Sequence, residues 1–417
     1  MKELPPLSRQ LPHGVKDLFL DEAAQIAEIE QRLRDLFPHW GYGQIIPPTF
    51  EYYDSYAAGA GEDLREQMYR LFDRDGRTLA LRPDLTIPTA RIVGTKLYDQ
   101  PLPLRFFYIG NIFRFAEPQA GRQREFTQAG IELIGAATPE ADAEVLALAI
   151  HALRALGVTD FQISLGQMAY FRALLSDLSL SSEDENRIRT AVDRRNVSAL
   201  RHLLDEVGMA RESRQAIGAL PRLVGGSQVL DEARGLATNA QAQQALDHLE
   251  SVYQLLSKDE LTDYILLDLG EVRGMDYYTG ITFEGFTHGL GFSVINGGRY
   301  DDLIGHYGAP LPAVGWALTV DRILLTFKER GRAFAQVAPD AVVAACNHSA
   351  CRLEVDNLRT QGLHVEYDVL GRSNDDLFAY AEKRGIPQVL ACSDPGEVCV
   401  IHEAQSPISN LRQSGEA

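Results

Sequence analysis

The chain has 417 residues, of which 45% are hydrophobic and 24% charged, as expected for a soluble globular protein with two or three domains. Its formal net charge of −18 argues against a dedicated nucleic-acid binder, and no apolar run is long enough to span a bilayer. The N-terminus lacks the apolar core of a signal peptide, and the cysteine spacings match no metal pattern. We therefore expect a cytoplasmic protein with no metal site and no membrane association.

Residues 1–20 contain several prolines and are predicted to be irregular. Residues 22–37 are predicted to form the first helix, because apolar residues recur along one face with charges opposite. Pro38 and Gly41 are expected to end it, and a short strand over 44–46 should follow. This unit could carry a dimer interface or belong to the core alone.

Residues 68–72 and 78–81 flank the turn sequence DRDG and are predicted to pair as a β-hairpin. The sequence RPDLT follows, and an apolar helix is expected to start over 87–93. Residues 104–115 and 122–134 are both strongly β-forming, and the loop between them contains proline and glycine. We expect these two strands to pair antiparallel.

Polar side chains cluster where these two strands meet their connecting loop. Three arginines there would place their guanidinium groups around one cleft. A glutamine and a glutamate that share one face of the second strand would lie beside them. Alternatively, each arginine lies on the surface and pairs with a nearby glutamate. The clustering favours a site. The residues concerned are Arg114, Arg122, Arg124, Gln128 and Glu132.

Residues 140–156 are predicted to form an amphipathic helix ended by Gly157, and 161–165 a strand. From residue 169 to about residue 256 the sequence is helical, charged and poor in aromatic residues. This stretch predicts an inserted or appended helical subdomain, with bounds of 168–260. Its composition alone indicates no chemistry.

The stretch 269–286 places an arginine, an aspartate and two tyrosines between two short β segments, 265–269 and 281–286. Such residues suit a pocket for a small zwitterion, because an arginine can fork onto a carboxylate and a tyrosine can hydrogen-bond a polar ring. They equally suit a β-hairpin with a solvated ion pair. The polar residues are Arg273, Asp276, Tyr277 and Tyr278.

Another β segment is predicted to begin at 293–296, followed by two glycines that permit close approach of the backbone. Residues 312–327 are expected to enter a helix in which Asp321 and Arg322 interrupt the apolar face. Arg322 either forms a salt bridge or points into a cleft.

Beyond a linker at 337–339, short apolar strands alternate with two helices, 349–361 and 374–384. This alternation predicts a small α/β domain with a parallel sheet. The strands are expected at 340–345, 362–367 and 388–391. We therefore divide the chain into a core over 1–330, a C-terminal domain over 337–405 and a tail over 406–417.

In this order, the segments resemble the class II histidyl-tRNA synthetase family over nearly the whole chain. Residues 45–48 (IIPP) with the preceding helix are similar to its first motif, 113–128 to its second and 315–322 to its third. Residues 272–278 (VRGMDYY) and 297–301 (GGRYD) resemble its two histidine-specific signatures. The resemblance implies an α+β fold: a six-stranded antiparallel sheet flanked by helices, a helical insertion and a C-terminal α/β domain.

The resemblance also implies a histidine pocket. Asp84, Thr86 and Gln128 would meet the ammonium group, and Arg273 the carboxylate. Glu132 and Tyr278 would hold the imidazole. The full implied histidine-binding set is Asp84, Thr86, Arg114, Gln128, Glu132, Arg273, Tyr277, Tyr278 and Tyr300, with Arg122 and Arg322 as a possible vestigial nucleotide site.

The sequence departs from the family's motifs at several positions, and two of these serve ATP in the family. Ala116 replaces the glutamate of the second motif, and Thr319 replaces a glycine of the third motif. Asp84 and Leu85 replace a glutamate and a glycine, and Thr127 replaces a histidine. The nucleotide features are thus eroded while the histidine pocket is kept.

This combination resembles the branch of the family whose members regulate ATP phosphoribosyltransferase. That resemblance implies a non-catalytic subunit without cofactors. Such a subunit activates the short-form catalytic subunit and mediates feedback inhibition by L-histidine. It also implies a homodimer core within a larger hetero-oligomer, with tRNA binding disfavoured by the acidic balance. The alternative is an active histidine–tRNA ligase, since the motif arginines survive; RNA binding without catalysis ranks last.

Overall fold

The computed structural model describes residues 10–115, 123–178, 180–272, 277–330, 338–345, 349–393 and 397–403. The chain divides into two compact units, Met1–Ala333 and Phe334–Ala417, and each is described by itself. Among the helices in the described ranges, none combines the length and the apolar character needed to cross a bilayer.

The first unit contains twelve strands in its described part. They are β1 Gly43–Gln44, β2 Phe50–Tyr52, β3 Arg70–Phe72, β4 Thr78–Leu81, β5 Leu104–Phe113, β6 Glu125–Ile134, β7 Phe161–Gln167, β8 Val224–Gly225, β9 Ile265–Asp268, β10 Ile281–Thr287, β11 Ile295–Arg299 and β12 Ala313–Thr319.

Twelve α-helices accompany these strands in the same described ranges. They are α1 Asp21–His39, α2 Tyr53–Gly59, α3 Glu62–Glu66, α4 Thr86–Ile92, α5 Pro139–Ala155, α6 Met168–Ser176, α7 Ser182–Asp193, α8 Val197–Glu206, α9 Arg211–Ala219, α10 Gln228–Leu236, α11 Ala240–Lys258 and α12 Val320–Glu329.

A nine-stranded sheet in the order β1-β5-β6-β12-β11-β10-β7-β9-β8 organises this unit. Its six central strands, β5 to β7 in that order, pair antiparallel throughout, which confirms the expected six-stranded core. The flanks extend it, with β1 parallel to β5 and β9 parallel to β7. Helices α1 and α5 pack along the sheet, and Phe37 of α1 lies 5.8 Å from the Trp316 ring.

Three expectations are corrected. The helix predicted to end at Pro38 contains that proline in its last turn. Strands β9 and β10 are not a hairpin, because β7 lies between them. The run predicted to enter a helix is first a strand, β12, and becomes helical only at Val320.

The strand predicted over 44–46 is shorter than expected and covers only Gly43–Gln44. Strands β3 and β4 form the expected hairpin, and β2 adds to it on the far side of β4. The predicted insertion is helical from α6 to α11, with β8 as a short strand that returns to the main sheet beside β9.

The second unit is a four-stranded sheet with two helices in its described part. Three parallel strands follow the predicted alternation, and a fourth, antiparallel edge strand was not predicted. The elements are β13 Ala341–Val343, α13 Ser349–Thr360, β14 Val365–Tyr367, α14 Asn374–Arg384, β15 Gln388–Ser393 and β16 Glu397–Glu403.

Candidate functional site

A cavity of about 470 Å³ opens on the central antiparallel strands of the first unit. Its walls come from the start of α4, from the hairpin β5–β6, from the segment before β10 and from β11 and β12. It contains the predicted site residues Asp84, Thr86, Arg114, Gln128, Glu132, Tyr277, Tyr278, Tyr300 and Arg322. Two further predicted residues, Arg122 and Arg273, lie outside the described residues.

One end of the cavity has an excess of hydrogen-bond acceptors. Asp84 is 2% exposed, and its Oδ1 accepts a hydrogen bond from the backbone N–H of Ile87 at 3.1 Å. Among the described residues, no donor reaches Asp84 Oδ2 or Gln128 Oε1, which is also buried. Burial raises the pKa of Asp84 to about 6, which the nearby Arg114 guanidinium opposes. A cationic ligand would satisfy both orphan oxygens.

Arg114 is held beside this acidic end. Its Nε donates to the carbonyl of Pro83 at 2.7 Å, and its guanidinium lies 5.9 Å from the centre of the Phe126 ring. Burial lowers the pKa of Arg114, while the charge of Asp84 acts in the opposite direction. Of the three arginines expected around one cleft, Arg124 does not line the cavity, because its guanidinium lies over Phe115 at 4.5 Å.

The deep end of the cavity is formed by Glu132, which is 1% exposed. Its carboxylate accepts hydrogen bonds from the hydroxyls of Tyr108, at 3.0 Å, and Tyr300. Burial raises the pKa of Glu132 to about 7, and the hydroxyl donors oppose that rise. Gly315 on the neighbouring strand makes room, since a Cβ there would lie 1.9 Å from Glu132 Oε2.

Three aromatic rings that contact one another also line the cavity. Tyr277 contacts Tyr278 edge-on at 5.2 Å between ring centres, and Tyr300 at 5.7 Å. Burial raises the pKa of all three phenols, so they remain neutral hydrogen-bonding groups at physiological pH. Such a wall can pack on a flat polar ring and still offer it hydroxyl groups.

Two residues of the segment that resembles the third motif, Thr319 and Arg322, also line the cavity. Arg322 lines the cavity, as one of its two predicted alternatives requires; it donates to the carbonyl of Ser293 at 2.5 Å and lies 4.9 Å from the Phe292 ring centre. Thr319 also lines the cavity, so its side chain occupies space that a glycine would leave open. Asp321 instead binds the backbone N–H of Thr127 and the ammonium of Lys16.

Sequence reasoning missed Tyr108. This residue lies on β5 opposite Gly130, which separates Gln128 from Glu132 on the same face of β6. A Cβ at Gly130 would lie 2.7 Å from the Tyr108 hydroxyl, so the glycine admits the phenol. A glycine between two polar residues of a buried strand was the available signal.

Comparison with known proteins places this geometry in a family context. The sequence model described as histidyl-tRNA synthetase matches residues 14–323. The ATP phosphoribosyltransferase regulatory subunit of Geobacter sulfurreducens is 38% identical over 423 residues, covering 99% of this chain and 96% of the relative. That of Moorella thermoacetica is 41% identical over 380 residues, with 91% and 97% covered.

Solved structures agree in fold. A Bacillus halodurans structure, described as an ATP phosphoribosyltransferase regulatory subunit/histidyl-tRNA synthetase, has a TM-score of 0.81 at 31% identity, covering 93% of this chain and 99% of that one. Histidyl-tRNA synthetase from Nostoc sp. has a TM-score of 0.78 at 21% identity, covering 94% and 97% of the two chains. At that identity the second likeness shows the fold alone.

Proposed function

Because the chain belongs to the histidyl-tRNA synthetase family, in its branch of ATP phosphoribosyltransferase regulatory subunits, we propose that its cavity binds L-histidine as an effector. The chain activates the short-form catalytic subunit of that enzyme and inhibits it when histidine is bound. The observation that carries the proposal is the pairing of orphan acceptors, Asp84 Oδ2 and Gln128 Oε1, with the buried Glu132 in one cavity.

The chemistry of the cavity matches the groups of histidine. A free amino acid carries an ammonium group, which requires acceptors such as Asp84, Thr86 and Gln128. An imidazole N–H requires an acceptor as well, and Glu132 supplies one between hydroxyl donors. Arg114 lines the same cavity and offers a guanidinium to the carboxylate, a role that we also assign to Arg273 from its sequence motif.

Inhibition by histidine requires that the ligand bind one conformation of the assembly better than another. A coupling free energy of about 1–3 kcal/mol is sufficient for ordinary allosteric effects. Tyr277 and Tyr278 belong to the segment before β10, and Thr279 in that segment donates its backbone N–H to the carbonyl of Arg299 at 2.8 Å. A ligand that contacts these tyrosines can therefore also act on β11.

We further propose that two copies of the chain form the core of the complex. Exposed apolar side chains concentrate on the small sheet β2–β4–β3 and on the segment before it, which favours burial against another surface. Phe72 is 81% exposed and Ile46 79%. The exposed set is Ile46, Phe50, Tyr52, Leu71 and Phe72.

Reconstitution tests this function. The purified chain is mixed with a short-form catalytic subunit, and ATP phosphoribosyltransferase turnover is measured with and without histidine while light scattering gives the mass of the complex. We expect turnover to rise on mixing, histidine to reduce it, and the mass to correspond to a hetero-oligomer. Turnover that neither rises on mixing nor responds to histidine would refute the proposal.

Histidine–tRNA ligase activity is the second candidate, because Arg114 and Arg322 both line the cavity. It is tested by histidine-dependent exchange between ATP and pyrophosphate. We expect no exchange, since Thr319 occupies the third-motif position where the synthetases have glycine. Clear exchange would replace the regulatory proposal with the enzymatic one.

The Glu132→Gln variant should discriminate less well between histidine and other amino acids. A glutamine keeps the size of the side chain but replaces a charged acceptor by a neutral one, and a hydrogen bond to a charged group contributes about 1.5–3 kcal/mol. Calorimetric competition between histidine and glutamine measures the effect. Glu30→Gln, in an α1 pair 3.5 Å from Arg34, is the control, and equal discrimination by both variants would contradict this placement.

A further inference from the structure

We propose that Tyr108 is a positioning residue that determines selectivity for ligands with a ring N–H, an inference that rests on the proposed binding of histidine. Tyr108 is buried on β5 and is not among the described residues that line the cavity. Its hydroxyl donates to Glu132 Oε1 at 3.0 Å. It therefore acts on the ring of the ligand through Glu132 and not by direct contact.

The Tyr108 hydroxyl belongs to a short chain of hydrogen bonds that joins both ends of the cavity. Because it donates to Glu132, the Thr86 hydroxyl 3.3 Å away is its donor in turn. Thr86 lines the cavity together with Asp84, where we place the ammonium group, and Tyr300 donates to the second oxygen of Glu132. The two tyrosines thus donate to different oxygens of the carboxylate.

The surrounding backbone is adapted to this arrangement. Gly130 lies opposite Tyr108 on β6, and a Cβ there would lie 2.7 Å from the phenol oxygen. Gly315 lies opposite Glu132 on β12, and a Cβ there would lie 1.9 Å from the carboxylate. Two glycines on two strands therefore accommodate one tyrosine–carboxylate pair.

Two hydroxyl donors keep Glu132 an acceptor. A buried carboxyl without donors protonates and then donates a hydrogen bond, so it would no longer accept one from an imidazole N–H. Both tyrosine donors favour the charged form and so oppose the rise in the pKa of Glu132 that burial causes. The titratable groups around Glu132 are Tyr42, Asp84, Tyr108, Tyr277, Tyr278 and Tyr300.

Selectivity follows from this state of Glu132. An ionised carboxylate strengthens the binding of a ligand with a ring N–H. It weakens the binding of a ligand without one, because the charged acceptor would then be buried without a hydrogen-bond partner. Loss of the Tyr108 hydroxyl should therefore weaken histidine binding while affecting a sulfur-ring isostere, 3-(2-thienyl)-L-alanine, much less.

The experiment measures the affinity of the full chain for both ligands by calorimetry between pH 5.5 and 9. For Tyr108→Phe we expect about 10-fold weaker histidine binding at pH 7 and a change below threefold for the thienyl ligand. We also expect the acidic limb, which is the loss of histidine affinity as the pH falls, to move to higher pH. Tyr56→Phe is the matched control, since Tyr56 is fully buried and, among the described residues, its hydroxyl has no partner. It should bind histidine like the parent chain.

Two further variants separate positioning from packing. In a Glu132→Gln background, Tyr108→Phe should weaken histidine binding less than twofold, because the acceptor that it positions has lost its charge. Incorporation of 3-fluorotyrosine at position 108 retains the ring and strengthens the donor, so the acidic limb should move to lower pH. This second measurement applies even if Tyr108→Phe does not fold.

The outcomes are distinct. Equal weakening of both ligands with an unchanged pH profile would show that Tyr108 only packs, and would overturn the inference while the histidine site stands. An unmoved acidic limb with 3-fluorotyrosine would overturn it as well. Absence of histidine binding by the parent chain would refute the proposed function itself.

Discussion

The Asp142→Ala variant is expected to lose about 3–5 kcal/mol of the free energy of unfolding of the first unit, because it leaves a buried arginine without its main partner. Asp142 lies on α5 with its side chain fully buried. Its Oδ1 accepts from Arg299 Nε at 3.0 Å and from Arg299 Nη2 at 2.6 Å, and His248 Nε2 lies 2.6 Å from its Oδ2. The Arg299 side chain is itself only 5% exposed.

Urea unfolding followed by tryptophan fluorescence measures this loss. Both tryptophans of the chain, Trp40 and Trp316, belong to the first unit, so the signal reports on that unit. Asp205→Ala is the matched control: it removes an aspartate from an exposed pair with Arg214, 2.7 Å apart, and should cost less than about 1 kcal/mol. Equal unfolding midpoints for the two variants would show that the Arg299 charge is compensated elsewhere.

Loss of Asp142 should also affect the cavity. Arg299 precedes Tyr300, whose hydroxyl binds Glu132, and its carbonyl accepts the backbone N–H of Thr279 beside the tyrosine wall. His248 lies on α11, the last helix of the insertion. The buried group around Asp142 therefore connects the insertion with two walls of the cavity, and its loss should disturb both.

Much of the antiparallel core can be predicted from local pattern. Strands β5 and β6 are long, strongly β-forming and separated by a loop rich in turn residues, so their pairing follows from the sequence. The same holds for the hairpin of β3 and β4. The positions of Gln128 and Glu132 on one face follow from strand alternation, and both line the cavity.

Non-local pairing cannot be predicted in this way. The segments β9 and β10 are close in sequence, yet β7 lies between them, about 100 residues upstream. Two strands that pair directly and two strands separated by a third have the same local sequence pattern, because apolar and polar residues alternate in the same way in both cases. The run at β12 is equally ambiguous, since a short apolar stretch suits a buried strand or a helix.

The direction of a side chain at the end of a strand also could not be predicted from the sequence. Arg114 and Arg124 flank one loop, and only Arg114 lines the cavity, because Arg124 lies over the Phe115 ring. Alternation defines a face within a regular strand but not at its irregular end. Contacts that cross strands, such as Tyr108 with Glu132, depend on register and on the missing side chain of Gly130.

The Gly315→Ala variant should lose most of its affinity for histidine. The added methyl group would lie 1.9 Å from Glu132 Oε2 and 2.4 Å from the carbonyl oxygen of Ile131, so either the carboxylate or the strand must move. Over-packing of this kind costs about 1–3 kcal/mol of stability. Displacing the charged acceptor should weaken histidine binding about 10–100-fold.

Calorimetry with histidine and thermal unfolding measure the two effects separately. Gly235→Ala is the matched control, because no atom lies within 4 Å of the position that its Cβ would take and the residue lies within helix α10. An alanine in a helix is more favourable than a glycine, so this control should unfold no earlier than the parent chain. Unchanged histidine affinity in Gly315→Ala would mean that Glu132 does not contact the imidazole, although it packs closely against Gly315.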